Sequence, residues 1–183
     1  PYEFYENGEI VGVDVEIARE IANAMGKELV VKDVAFDFII NEVQSGKADF
    51  GAAGISITDE RKEQVDFTIE YTVSNQVVVV RTDSPIQNFD ELKDKKIAVQ
   101  LGTVGEDYVE SGKADCIVMD ELPAKELVAS NPELKIMDGI LFSDKYGMVV
   151  KKGNTELLNK INEVLTRLMN EGKIEEYILK YTE

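Results

Sequence analysis

A seven-residue pattern occurs twice in this chain: VQSGKAD at 43–49 returns as VESGKAD at 109–115. In each copy an amphipathic stretch stops at a Ser-Gly pair and an apolar, strand-like stretch follows. Glycine ends helices because it enters the left-handed region at little cost. A repeat centred on the helix-to-strand joint restricts the chain to two α/β units of like construction. Ligand clefts commonly form between such units. The alternative is chance likeness between two helix-stop signals.

The rest of the pattern is consistent with that reading. Asn7-Gly8 between two apolar pairs predicts a hairpin. Val13, Ile17, Ile21 and Met25 recur at helical spacing, with Asp14 as a candidate cap and Gly26 as a stop. A strand is expected over 28–34, a helix over 36–44 with Phe36, Ile39, Ile40 and Val43 on its buried stripe, and a strand over 48–53. Helix and strand in alternation predict an α/β fold with a parallel sheet. The run Val77, Val78, Val79, Val80 is β-branched throughout and predicts a strand buried on both faces. Thr82 to Pro85 is polar, ends in proline and marks a crossover. A second α/β unit follows: a short helix over 90–94, strands over 96–100, 114–119 and 134–137, and a helix over 123–130. A strand over 146–150 and helices over 154–170 and 174–181 close the chain.

Composition narrows the function. A chain of 183 residues builds one large domain or two small ones. It carries 36 acidic against 20 basic residues, a formal charge of −16, so nucleic acid and anionic lipid are poor partners. There is no histidine, which removes the commonest general base and the commonest zinc ligand. The single cysteine, Cys116, lies in an apolar run and reads as a buried, inert thiol. No uncharged stretch is long enough to span a bilayer. The chain opens without a basic, apolar leader, which fits a cytoplasmic protein or a mature exported one.

Three expected strand ends carry candidate binding groups. After 48–53 come Gly54, Ser56 and Arg61, with Thr58 as a helix cap followed by Asp59 and Glu60. A guanidinium, a hydroxyl and free backbone amides together clamp a small carboxylate. The plainer reading pairs Arg61 with Asp59 or Glu60. After 96–100 come Gly102 and Thr103, a candidate site or only a turn. After 114–119 comes Asp120, which binds a cation or caps the next helix. In parallel sheets ligands bind beyond such carboxyl ends. If the units face each other, a cation on one wall and a carboxylate on the other suit a zwitterion.

The ordered set PYEF (1–4), GVDVEIA (12–18), SGKAD (45–49), GISITDER (54–61), VDF (65–67), IAVQLGT (97–103) and YGMVV (146–150) resembles the type II extracytoplasmic solute-binding proteins. Within them it is similar to the polar amino-acid-binding group of ABC transporters. The resemblance implies a two-lobed Venus-flytrap α/β fold of the periplasmic-binding-protein II kind, each lobe a mainly parallel sheet flanked by helices. Lobe 1 would comprise 1–82 with 147–183, and lobe 2 would comprise 83–146. It implies that Arg61, helped by Ser56 and Gly54, grips the ligand α-carboxylate, and that Asp120 binds the α-ammonium. Phe36 would pack on the ligand side chain, and Gln100, Thr103 and Val104 would line the second wall. No cofactor, metal or catalytic residue is implied. The partners would be a free amino acid and the permease subunits of an ABC transporter. The protein would be a monomer, in the periplasm or on the cell surface as a lipoprotein.

The chain departs from the family pattern in three ways. The family carries a strand ahead of the position of Pro1, and its last residues contribute ligand contacts. It also places a helix, a strand and a helix between Thr103 and the second SGKAD, where this chain has about ten residues, so the second lobe is expected to be shortened near 108–110. Val104 stands where a polar residue is common. Two other functions share the fold: a dehydratase acting on cyclohexadienyl or arogenate-like acids, and the ligand-sensing domain of a receptor. Without histidine, acid–base work would rest on Asp or Glu alone.

Overall fold

The computed structural model describes residues 1–99 and 113–182. The chain divides into two compact units, one of Pro1–Val73 with Lys145–Glu183 and one of Ser74–Asp144. Among the described residues no helix is long and apolar enough to cross a membrane.

The first unit opens with the expected hairpin. Strands β1 (Phe4–Glu6) and β2 (Glu9–Val11) pair antiparallel, and Asn7 and Gly8 both take positive φ, 51° and 87°, as a tight two-residue turn requires. Helix α1 (Val13–Ala24) follows. Its Val13, Ile17 and Ile21 are fully buried. They join Ile161, Val164, Leu165 and Leu168 of the long helix α5 (Thr155–Asn170) and Ile174 of the terminal helix α6 (Lys173–Lys180). Burying side chains of this size contributes about 1.5–3 kcal/mol each. Asp14 does not cap α1. The cap position is Gly12, with no side-chain bond, and the Asp14 carboxylate is buried instead.

The strand expected over 28–34 does not form. Val30 is 81 % exposed and Val31 44 %, and no strand is assigned between α1 and helix α2 (Phe36–Gln44). A strand needs a ladder partner. Strand β3 is only Phe50–Gly51 and pairs with β10 (Val149–Lys151). Residues 28–34 and Phe50, Gly51 and Ala52 line a cavity of about 1240 Å³. Helix α3 (Asp59–Gln64) leads into β4 (Val65–Phe67), which pairs with the other edge of β10. The order β3-β10-β4 is antiparallel throughout, not the expected parallel arrangement. The returning strand β10 lies between the two others and runs against both.

The second unit is built on β5 (Thr72–Arg81). It pairs antiparallel with β7 (Cys116–Asp120) and with β8 (Leu134–Ile136). Strand β6 (Ile97–Val99) pairs parallel with β7, and β9 (Phe142–Tyr146) pairs with β5. The sheet is therefore mixed. The valine run is buried on both faces, as its composition requires. Val77 and Val79 pack with Ile117, Met119 and Ala124, while Val78 and Val80 pack with Cys116, Ile86 and Met137. Ala124 belongs to helix α4 (Glu121–Ser130). The expected crossover at 82–85 lies inside this unit, because the valines pair with β7 and β8. The helix expected over 90–94 is a single 3₁₀ turn, Phe89–Leu92, capped by Asn88.

Candidate functional site

The stretch from Gly54 to Arg61 forms a braced turn in the first unit. Gly54 takes φ 53°, and a Cβ there would stand 3.1 Å from the Tyr146 ring. Only glycine accepts that backbone at that distance without strain. The Gly54 N–H donates to Asp14 Oδ2 at 2.8 Å. Ser56 forms a bridge with Tyr146, Ile57 N–H donates to the Lys145 carbonyl at 2.9 Å, and Gly147 N–H donates to the Ile55 carbonyl at 3.0 Å. The turn then enters α3. Thr58 caps it as its sequence position predicts, its hydroxyl oxygen accepting from Arg61 N–H at 3.2 Å.

Arg61 is not paired with Asp59 or Glu60. Asp59 pairs with Lys62 at 3.3 Å. Arg61 Nη1 donates to the Ser56 carbonyl at 2.9 Å, and its guanidinium lies 5.4 Å from the centroid of the Phe36 ring. Both partners are neutral, and among the described residues Arg61 forms no ion pair. A guanidinium has five N–H donors in a rigid fork, so one bond to Ser56 leaves an edge for a carboxylate. Phe36 was expected on the buried stripe of α2 but is 42 % exposed. The other stripe residues, Ile39, Ile40 and Val43, carry the packing, and the Phe36 ring is left to face the cation.

In the second unit, Asp120 ends β7 and stands at the cap position of α4, yet makes no capping bond there. Its Oδ1 accepts from Gln76 Nε2 on β5. Beside it, Asn75 donates to Glu121 Oε2 at 2.9 Å and accepts from Ser143 Oγ at 2.9 Å. Lys125, with help from Asn75, holds the Glu121 carboxyl below its usual range. Gln100, Thr103 and Val104 lie outside the described residues.

One functional group escaped the sequence. Asp14 is 1 % exposed, and besides Gly54 it accepts from the Tyr71 hydroxyl at 2.7 Å. Burial pushes its carboxyl up to about 6, against the lowering effect of the Gly54 and Tyr71 bonds. The run Gly12-Val13-Asp14 signals a helix start, and nothing local shows that the carboxylate reaches a turn 40 residues away. Among the described residues no cluster of acidic or sulfur side chains could hold a metal ion. Burial also pushes the Cys116 thiol up, away from reactivity.

Residues 1–183 match the family described as bacterial extracellular solute-binding proteins, family 3. The chain belongs to that family. Within this family it is 28% identical, over 207 residues, to the arginine-binding extracellular protein ArtP of Bacillus subtilis, covering 99% of this chain and 81% of ArtP. It is likewise 28% identical to the ABC transporter glutamine-binding protein GlnH of Bacillus subtilis, over 96% of this chain and 74% of the relative. A crystal structure of a mutant of ArgBP from T. maritima superposes with TM-score 0.91 at 38% identity, covering 100% of this chain and 91% of the other. The fold is thus that of the amino-acid-binding solute receptors, and the binding-protein reading is favoured over the dehydratase-like one. The aligned 207 positions exceed the 183 residues of this chain, so it is shortened relative to ArtP.

Proposed function

We propose that this protein captures a free amino acid outside the cytoplasmic membrane and delivers it to the permease subunits of an ABC transporter. The observation that carries this reading is Arg61, a cation with neutral partners on a braced turn. Such a group binds a carboxylate with little reorganisation. In this reading Ser56 and Gly54 complete the carboxylate grip, Asp120 takes the ammonium group with Gln76 orienting it, and Phe36 packs on the ligand side chain. Gln100, Thr103 and Val104 are included in this reading as further ligand contacts. A ligand lacking either charge strands a desolvated partner, at a cost of about 2–5 kcal/mol. The protein works as a monomer, in the periplasm or tethered to the cell surface.

The names of the relatives point to arginine and glutamine as first probes. Calorimetry against the twenty amino acids tests the proposal. Saturable binding of one or a few of them, without turnover, is expected. No binding by any of them, under conditions where the protein is folded, would remove the reading.

A further inference from the structure

Asp14 has a position that helix capping does not explain. It lies in the first turn of α1, where acidic residues are favourable at the surface, yet it is 1 % exposed. A carboxylate is among the costliest groups to bury, and it persists where bonds at both oxygens compensate. Here both oxygens are used, Oδ2 by the Gly54 N–H and Oδ1 by the Tyr71 hydroxyl. The two partners are themselves joined. Tyr71 N–H donates to the Tyr146 carbonyl at 3.1 Å, Tyr146 packs against Gly54, and Tyr146 bridges to Ser56. Asp14, Gly54, Ser56, Tyr146 and Tyr71 therefore close a ring of contacts. Arg61 is fixed to that ring through the Ser56 carbonyl.

We propose that Asp14 is a positioning residue of the carboxylate grip: it fixes the Gly54 turn, and through that turn the Ser56 carbonyl that orients Arg61. The proposal rests on the amino-acid-binding reading above, and it adds a residue that touches no ligand. Its chemistry separates two substitutions. An asparagine at this place keeps both contacts, because its oxygen accepts from Gly54 and its NH₂ donates to the Tyr71 phenol oxygen. An alanine loses both.

Two readouts test it. The first needs no ligand. Hydrogen exchange at the Gly54 amide should be as slow in Asp14→Asn as in the wild type, and about tenfold or more faster in Asp14→Ala. If Asp14→Ala does not fold, Asp14→Leu keeps the volume without the acceptors and replaces it. On the wild type alone, the Gly54 amide resonance should shift as the Asp14 carboxyl titrates. An indifferent Gly54 amide in either measurement overturns the assignment. The second readout compares L-arginine with agmatine, its decarboxylated amine, by calorimetry or displacement. Asp14→Ala should lower the preference for L-arginine about tenfold, with agmatine affinity changed less than about threefold, and Asp14→Asn should restore it. Equal losses for both probes would make Asp14 a residue of the core and nothing more. A wild-type protein that binds none of the twenty amino acids would count against the amino-acid reading, and Gly54 exchange would still decide the role of Asp14.

Discussion

The Arg61 guanidinium lies 5.4 Å from the centre of the Phe36 ring, while Arg61 Nη1 donates to the Ser56 carbonyl at 2.9 Å. One contact is apolar and one polar, and neither neutralises the charge. Arg61→Ala should therefore abolish amino-acid binding, by about 100-fold or more, with the melting temperature nearly unchanged. Phe36→Ala should cost less, about three- to tenfold. Calorimetry beside thermal unfolding separates the two quantities, and full affinity in Arg61→Ala would refute the site.

Asp120→Asn should weaken amino acids far more than their deaminated analogues. The proposal above gives this carboxylate the ammonium group of the ligand, and Gln76, which donates to it, is itself neutral. Competition binding with an amino acid and the matching deaminated acid reads the difference. If the two lose equally, Asp120 serves the fold of β7 and α4 instead.

Gly54→Ala should destabilise the first unit by about 1–3 kcal/mol, since φ is 53° and the new Cβ meets the Tyr146 ring at 3.1 Å. Denaturant unfolding measures this. The loss should appear in ligand affinity as well, because the displaced turn carries Ser56 and Arg61.

A difference in pH dependence is expected at Asp14. Its folded-state pKa is raised to about 6 from 3.8. A raised acid contributes stability that is present below the unfolded value and lost as pH rises through the folded one. Asp14→Asn, which does not titrate, should thus gain on the wild type between pH 4 and pH 7, by roughly 2–3 kcal/mol. Tyr71 bonds the same carboxyl, and Tyr2 and Glu3 act in turn on Tyr71; all three are common to both proteins, so the difference isolates Asp14. Urea unfolding at several pH values measures it, and a constant gap would mean that the carboxyl titrates alike folded and unfolded.

Cys116 should resist thiol reagents in the folded protein and react on unfolding, being fully buried with its thiol pushed up by that burial. Fast labelling of the native protein would contradict the packing of β7.

What the sequence revealed depended on how local the determinant was. Thr58 capping Arg61 and Asn7-Gly8 turning the hairpin involve neighbours in the chain, and both were legible. The valine run was legible because a sheet covered on both faces needs such a run wherever it lies. The strand over 28–34 was not, because strand formation is settled by a partner and not by Leu29, Val30 and Val31 themselves. Asp14 was misread for the same reason: its partners, Gly54 and Tyr71, are far along the chain. The charges beside Arg61 suggested Asp59 or Glu60, and a neutral carbonyl five residues back holds it instead. Gly54, Ser56, Arg61, Phe36 and Asp120 were named as candidates from their positions after strands and from the family resemblance. Asn75 and Gln76 were not, because nothing in a strand's pattern shows which carboxylate lies opposite.

The brace on Arg61 runs from Ser56 to Thr58 within six consecutive residues. In the proposed reading this grip is assembled once its own short loop closes, before any guest arrives. Preorganisation of this kind spares the complex the entropy of freezing a long, four-torsion side chain. If Arg61 is the carboxylate grip proposed above, differences between amino acids arise from groups that meet the side chain of the guest, with the carboxylate end serving as a constant handle.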